Sequence, residues 1–150
     1  MLIGSKSEPT LAADPWRLYL YAMRSPETKE KYLMRLGKFL GFLGFQGTLE
    51  DKARFFADKG KCDSAWAFNS ILEFLQAQKE RFNRKEITAG TIRNYVKSIK
   101  LFCQMADVSI PWEKITRGPD TLACREGAGN CVRKARLHPL LLILLRRLHF

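Results

Sequence analysis

Arg93, Lys97 and Lys100 follow one another at i, i+4 and i+7, and Lys31, Arg35 and Lys38 repeat that spacing earlier in the chain. Residues so spaced lie on one face of a helix, so each triplet predicts a cationic ridge. The chemistry open to such a ridge is capture of phosphate, with each cation releasing counterions condensed on a polyanion. Around the second ridge, Thr91 and Asn94 fall near a helix start, where side chains and backbone N–H groups commonly meet phosphate. Asn94 has a further option in a bidentate contact to adenine, against the plainer reading of an exposed, uncommitted amide. Lys114 and Arg117 are placed to track a sugar-phosphate backbone as the chain leaves the domain. Each assignment competes with a solvated helix face, where most lysines sit. For Lys31 that alternative is concrete, because Glu27 and Glu30 lie within helical reach of it. Arg84 and Lys85, in a polar turn, read as solubility residues. The whole chain carries formal charge +11 and a pI near 9.8, which favours a phosphate-bearing partner over an acidic small-molecule substrate.

Other chemistry finds little support. Cys62, Cys103, Cys124 and Cys131 form no CxxC pair, and the two histidines are His138 and His149, so neither a zinc site nor any other metal or cofactor is expected. Cys103 and Tyr95 fall on an apolar stripe and read as buried packing residues. Trp16, Trp66 and Trp112 read as core or flap anchors rather than base-stacking platforms. The first 13 residues lack the apolar segment of a secretory leader, and Leu140–Leu145 falls far short of the ~20 residues that span a bilayer. A reducing cytoplasm with no membrane association is the expectation.

The elements that must position the ridges are helical. In 88–106, at about 100° per residue, Ile92, Tyr95, Val96, Ile99, Phe102, Cys103 and Ala106 share an arc of roughly 120°, with the ridge centred about 125° away. Thr88 caps this helix. Ser25-Pro26 starts another, in which Tyr32, Leu33, Leu36, Phe39, Leu40 and Leu43 repeat up to Gly44. Thr48 heads a third with Asp51 three residues on, burying Ala53 and Phe56 and ending at Gly60. Asp63 or Ser64 caps a fourth, with Trp66, Phe68, Ile71, Leu72, Leu75 and Phe82 as its buried side. Trp16 to Tyr21 form an apolar knot expected to pack as an arm or short helix, and Ser109–Trp112 ends the helical part, leaving 114–118 as a basic exit strap. With no alternating strand pattern before residue 108, the fold class is all-α: a bundle of four to five helices.

Two segments, taken in order, resemble the N-terminal core-binding domain of the tyrosine recombinase (phage integrase) family, in particular its archaeal integrase-like members. They are Ser25-Pro26-Glu27-Thr28 with Tyr32 through Leu43, and Thr88-Ala89-Gly90-Thr91-Ile92-Arg93-Asn94-Tyr95 through Phe102. The likeness spans roughly residues 15–117. It implies a SAM-like bundle closing over one side of double-stranded DNA, with its first and last helices approaching the major groove. The family's catalytic Arg, His-x-x-Arg motif and nucleophilic Tyr find no counterpart: His138 is followed by Pro139-Leu140-Leu141, and no tyrosine follows Tyr95. Strand cleavage needs that tyrosine to hold the phosphate covalently, so no enzymatic activity is expected of this chain alone.

The domain organisation expected is a loose arm over 1–13, a core-binding helical domain over 14–117 and an atypical, poorly structured tail over 118–150. The tail is rich in Ala, Gly, Cys, Arg and Leu, and its character suggests translation out of frame or a decayed gene. Two functions compete: DNA binding by a truncated or stand-alone core-binding domain linked to recombination and integration, or a helical protein-interaction module that regulates a full-length recombinase or another partner.

Overall fold

The computed structural model describes residues 14–117, so the arm over 1–13, the tail over 118–150 and the expectations for Cys124, Cys131, His138, His149 and Leu140–Leu148 lie outside the described residues. Six helices follow one another: α1 (Pro15–Ala22), α2 (Pro26–Phe42), α3 (Leu49–Cys62), α4 (Ser64–Asn83), α5 (Ala89–Met105) and α6 (Trp112–Thr116). No strand occurs among the described residues, and the all-α bundle holds, with a single turn of helix added after α5.

Local chemistry explains most boundaries. Thr48 Oγ1 accepts from Asp51 N at 3.2 Å while Asp51 Oδ2 accepts from Thr48 N at 3.1 Å, a reciprocal pair that satisfies two otherwise orphaned donors. Asp63 Oδ1 accepts from Trp66 N at 2.9 Å to start α4, and Thr88 Oγ1 accepts from Thr91 N at 3.3 Å to start α5. Ser25 precedes Pro26 as expected, yet its side chain makes no cap hydrogen bond. Pro26 instead supplies a fixed φ at a position whose N–H has no helical partner. Gly44, at φ +77°, turns the chain out of α2.

α5 packs against α1, α2 and α4 around a core of aromatic edges. Phe39 meets Phe56 at 5.2 Å and Phe74 at 5.3 Å, and Phe74 meets Tyr95 at 5.3 Å. Tyr19 on α1 meets Phe102 at 5.4 Å, edge to face, an arrangement that suits the ring quadrupoles. The knot of Trp16 to Tyr21 is therefore a helix that closes one side of the core through Trp16, Tyr19 and Leu20, while Tyr21, expected to pack with them, is 77% exposed.

Three expectations need correction. α3 does not stop at Gly60 but continues to Cys62. A Cβ on Gly60 would lie 3.0 Å from Val108 Cγ1 and 3.4 Å from Ala67 Cβ, so this glycine permits close packing rather than ending the helix. The buried face of α4 is centred on Ala67, Ser70, Ile71, Phe74 and Gln78, while Trp66, Phe68, Leu72 and Leu75 are half-buried and Phe82 is exposed. Ala67 is the residue of this face that passes Gly60 of α3, while Ile71 and Phe74 fill the core beyond it. The strap after Trp112 is helical in its first turn, with Ile115 buried and Trp112 packed on the core.

Candidate nucleic-acid interface

α5 carries the clearest division of labour. Ile92, Tyr95, Val96, Ile99, Phe102 and Cys103 are buried, while Lys97 and Lys100 are exposed and Arg93 is half-buried. Between Glu86 and Asp107 the sequence holds no acid, and none of the three cations forms an ion pair among the described residues. Three positive charges thus sit on the outer side of a rigid element with no carboxylate paired to them among the described residues.

The rotational setting of α5 is fixed by a polar contact that periodicity does not reveal. Ser98, fully buried, lies 2.8 Å from Tyr19 Oη on α1 and donates to the Tyr32 carbonyl on α2 at 2.9 Å. Tyr19 Oη also lies 3.3 Å from the Tyr32 carbonyl; with one proton on each hydroxyl, the shorter distances favour the order Tyr19 O–H to Ser98 Oγ and Ser98 O–H to that carbonyl. Burial pushes the Tyr19 hydroxyl up to about 12, which keeps it a donor. At about 100° per residue, Lys97, Arg93 and Lys100 lie roughly 100°, 140° and 160° around α5 from Ser98. The ridge therefore faces away from α1 and α2.

At the head of α5, Thr91 is half-buried, its hydroxyl 3.1 Å from that of Thr88. Asn94 is half-buried with no side-chain hydrogen bond among the described residues. Arg93 folds back along the first turn, a guanidinium nitrogen 4.0 Å from where a side chain on Gly90 would begin. Thr91, Arg93 and Asn94 thus gather at one helix start, with Lys97 and Lys100 following along the shaft.

On α2, Lys31 and Lys38 are exposed and Arg35 is half-buried, its guanidinium carbon 5.8 Å from the centre of the Tyr32 ring. The pairing of Lys31 with Glu27 or Glu30 does not form. Gly37, whose Cβ would lie 3.6 Å from Leu49 Cδ1, marks the side of α2 that faces α3. The α2 ridge lies roughly 100–160° from it. The fold brings α2 and α5 together but turns the α5 ridge away from their crossing. On α6, Lys114 and Arg117 are exposed, and Arg117 is held 3.6 Å from Glu113 one turn back. In the polar turn, Arg84 and Arg81 both pair with Glu86, at 2.8 and 3.0 Å. The Arg81 hydrogen bond holds the Glu86 carboxyl below the usual carboxylate range.

Sequence reasoning missed one ionic feature. Asp14, 5% exposed, caps α1 through Trp16 N and receives Arg54 of α3 at 2.8 and 3.4 Å. The Arg54 hydrogen bonds are the chief reason its carboxyl sits below the ordinary range, against a burial effect that opposes them. Asp14-Pro15 is itself a helix-start signal, since Pro favours the first helical position. Arg54, 40 residues away, leaves no local trace.

Comparison with known proteins returns nothing: no family description, no curated protein and no solved structure matches the chain. Among the described residues no helix is long and apolar enough to cross a membrane, and no group of three or more His, Cys, Asp or Glu is arranged to hold a metal ion.

Proposed function

We propose that this chain is a DNA-binding helical module of the core-binding kind, related to recombination or integration and without strand cleavage of its own. The observation that carries the proposal is the α5 ridge: Arg93, Lys97 and Lys100 without carboxylate partners among the described residues, on a helix whose opposite side is locked into the core. The ridge lies along a duplex groove, with Thr91 and Asn94 meeting phosphate at the head of the helix and Lys114 and Arg117 adding cations beyond it. Lys31, Arg35 and Lys38 add to the positive field that draws a duplex in. The likeness of residues 25–43 and 88–102 to tyrosine recombinases supports the same reading. It also makes a full-length recombinase and a cytoplasmic setting natural companions.

A helical module of this size gripping one side of a duplex binds in the range of nonspecific complexes, ~10⁻⁴–10⁻⁶ M. Fluorescence anisotropy of a labelled duplex at 50 mM salt tests the proposal. Saturable binding in that range is expected, and no binding at that ionic strength defeats it.

A further inference from the structure

The exposed large hydrophobic side chains are unevenly distributed. α2 carries two, Met34 at 54% and Phe42 at 47% exposure, α1, α3 and α4 one each (Tyr21, Phe55 and Phe82), and α5 none. At about 100° per residue, Gly41, Met34, Lys38, Lys31 and Phe42 follow one another within an arc of roughly 100° on the outward side of α2. Met34 and Gly41 are one heptad apart, as are Lys31 and Lys38, a repeat suited to a second helix lying alongside. Gly41 is exposed and a Cβ there would meet nothing within 4 Å, which leaves a shelf where another backbone can approach. Glu27, one turn before Lys31, shares this arc at the start of α2, and from Lys31 to Leu49 no acid occurs.

This is not the composition of a face built for phosphate alone. Phosphate contacts draw on cations and hydrogen-bond donors, whereas the exposed Met34 thioether, and the half-exposed Phe42 ring that lies edge-on to core Phe74 at 5.5 Å, gain from further burial against apolar surface. We propose that the outward face of α2 docks an acidic amphipathic helix of a partner protein. Apolar side chains of that helix cover Met34 and Phe42 across the Gly41 shelf, and its carboxylates meet Lys31 and Lys38. Charge rules out the nearer occupants. A second copy using the same face would bring lysine against lysine. The chain beyond Gly118 carries Arg125, Arg133, Lys134, Arg136, Arg146 and Arg147 against Asp120 and Glu126.

The test titrates the isotope-labelled full chain with two synthetic helical peptides that share a leucine heptad stripe, one flanked by glutamates and the other by lysines. The acidic peptide shifts the amides of Lys31, Met34, Lys38, Gly41 and Phe42 and binds about tenfold or more tighter than its basic twin, an advantage that salt erodes. Gly41→Leu fills the shelf from a Cβ position with no neighbour within 4 Å, keeps the fold by circular dichroism, and weakens the acidic peptide by about tenfold or more. Lys31→Glu with Lys38→Glu does the same, while Ala at Arg93, Lys97 and Lys100 leaves peptide binding unchanged. Equal affinity for the two peptides, unshifted α2 amides at millimolar peptide, or undiminished binding to the Gly41→Leu chain overturns the proposal. So does duplex DNA that shifts those same amides in preference to the acidic peptide.

Discussion

Replacing Arg93, Lys97 and Lys100 together by alanine gives the DNA proposal its sharpest test. Lys97 and Lys100 are exposed and Arg93 half-buried, and none is ion-paired among the described residues. Their removal therefore breaks no buried contact, and alanine is the strongest helix former. The thermal midpoint and circular dichroism should stay where they are. If the intact module neutralises four to six phosphates, its log K falls with log salt at a slope of about −4 to −5. Each cation on phosphate contributes ~0.9 to that slope, so the triple variant loses ~2.7 and retains a slope of about −1.3 to −2.3. At 0.1 M salt the same ~2.7 decades amount to a loss of roughly 500-fold in affinity. Anisotropy titrations from 25 to 200 mM salt, an interval of about one decade, read both quantities. A variant that folds normally and keeps the wild-type slope would show that the ridge never touches phosphate.

Further measurements probe the scaffold. Gly60→Ala presses a methyl against Val108, overpacking at about 1–3 kcal/mol against a helix-propensity gain of about 1 kcal/mol. The variant should melt lower, and adding Val108→Ala should recover most of the loss. Asp14→Ala removes the α1 cap and one of the two carboxylates on Arg54, which keeps Glu50 at 2.6 Å, and should lower unfolding free energy by about 0.5–2 kcal/mol in urea. Because the Arg54 hydrogen bonds hold the folded Asp14 carboxyl below the ordinary carboxylate range, its contribution is fully present above that range. It is lost as pH falls through the depressed folded value. Asp14→Asn keeps the cap but should flatten that part of the acid limb. Burial pushes the Cys103 thiol up to about 12, whereas Cys62 is exposed. Peptide mapping after brief alkylation at pH 8 should find Cys62 modified and Cys103 untouched until denaturant is added.

The legible part of this fold is its local part. Thr48 with Asp51, Asp63, and Thr88 announce helix starts because a capping side chain and its backbone donor are two or three residues apart. The stripe from Ile92 to Ala106 is likewise visible from spacing, and Tyr95 and Cys103 are buried as their positions in it require. What stays hidden depends on residues distant in sequence. Ser98 is a small polar residue outside the apolar arc, and its partner Tyr19 lies 79 positions away. Gly60 reads as a helix end because glycine usually does, and only Val108 passing over it reveals a contact. Ala67, Ser70 and Gln78 share the buried α4 face with Ile71 and Phe74, and neither their size nor their polarity marks them as core in the sequence. Of the candidate site, both ridges were visible as periodicities. Their mutual orientation was not, because the roll of each helix is set by the neighbour against which it packs.

The Tyr19–Ser98–Tyr32 chain has a consequence for which substitutions matter. With side chains, a helix has a radius of about 5–6 Å, so a 20° rotation of α5 about its axis carries an outward cation about 2 Å sideways. That is enough to break a hydrogen bond to a fixed oxygen. Ser98 sits directly beside Lys97 in the chain and acts as a key in a shaft, setting the angle at which the charges emerge. Changes at Tyr19 or Ser98, fully hidden from any ligand, should therefore mimic loss of the ridge in binding assays while leaving the molecule's charge untouched.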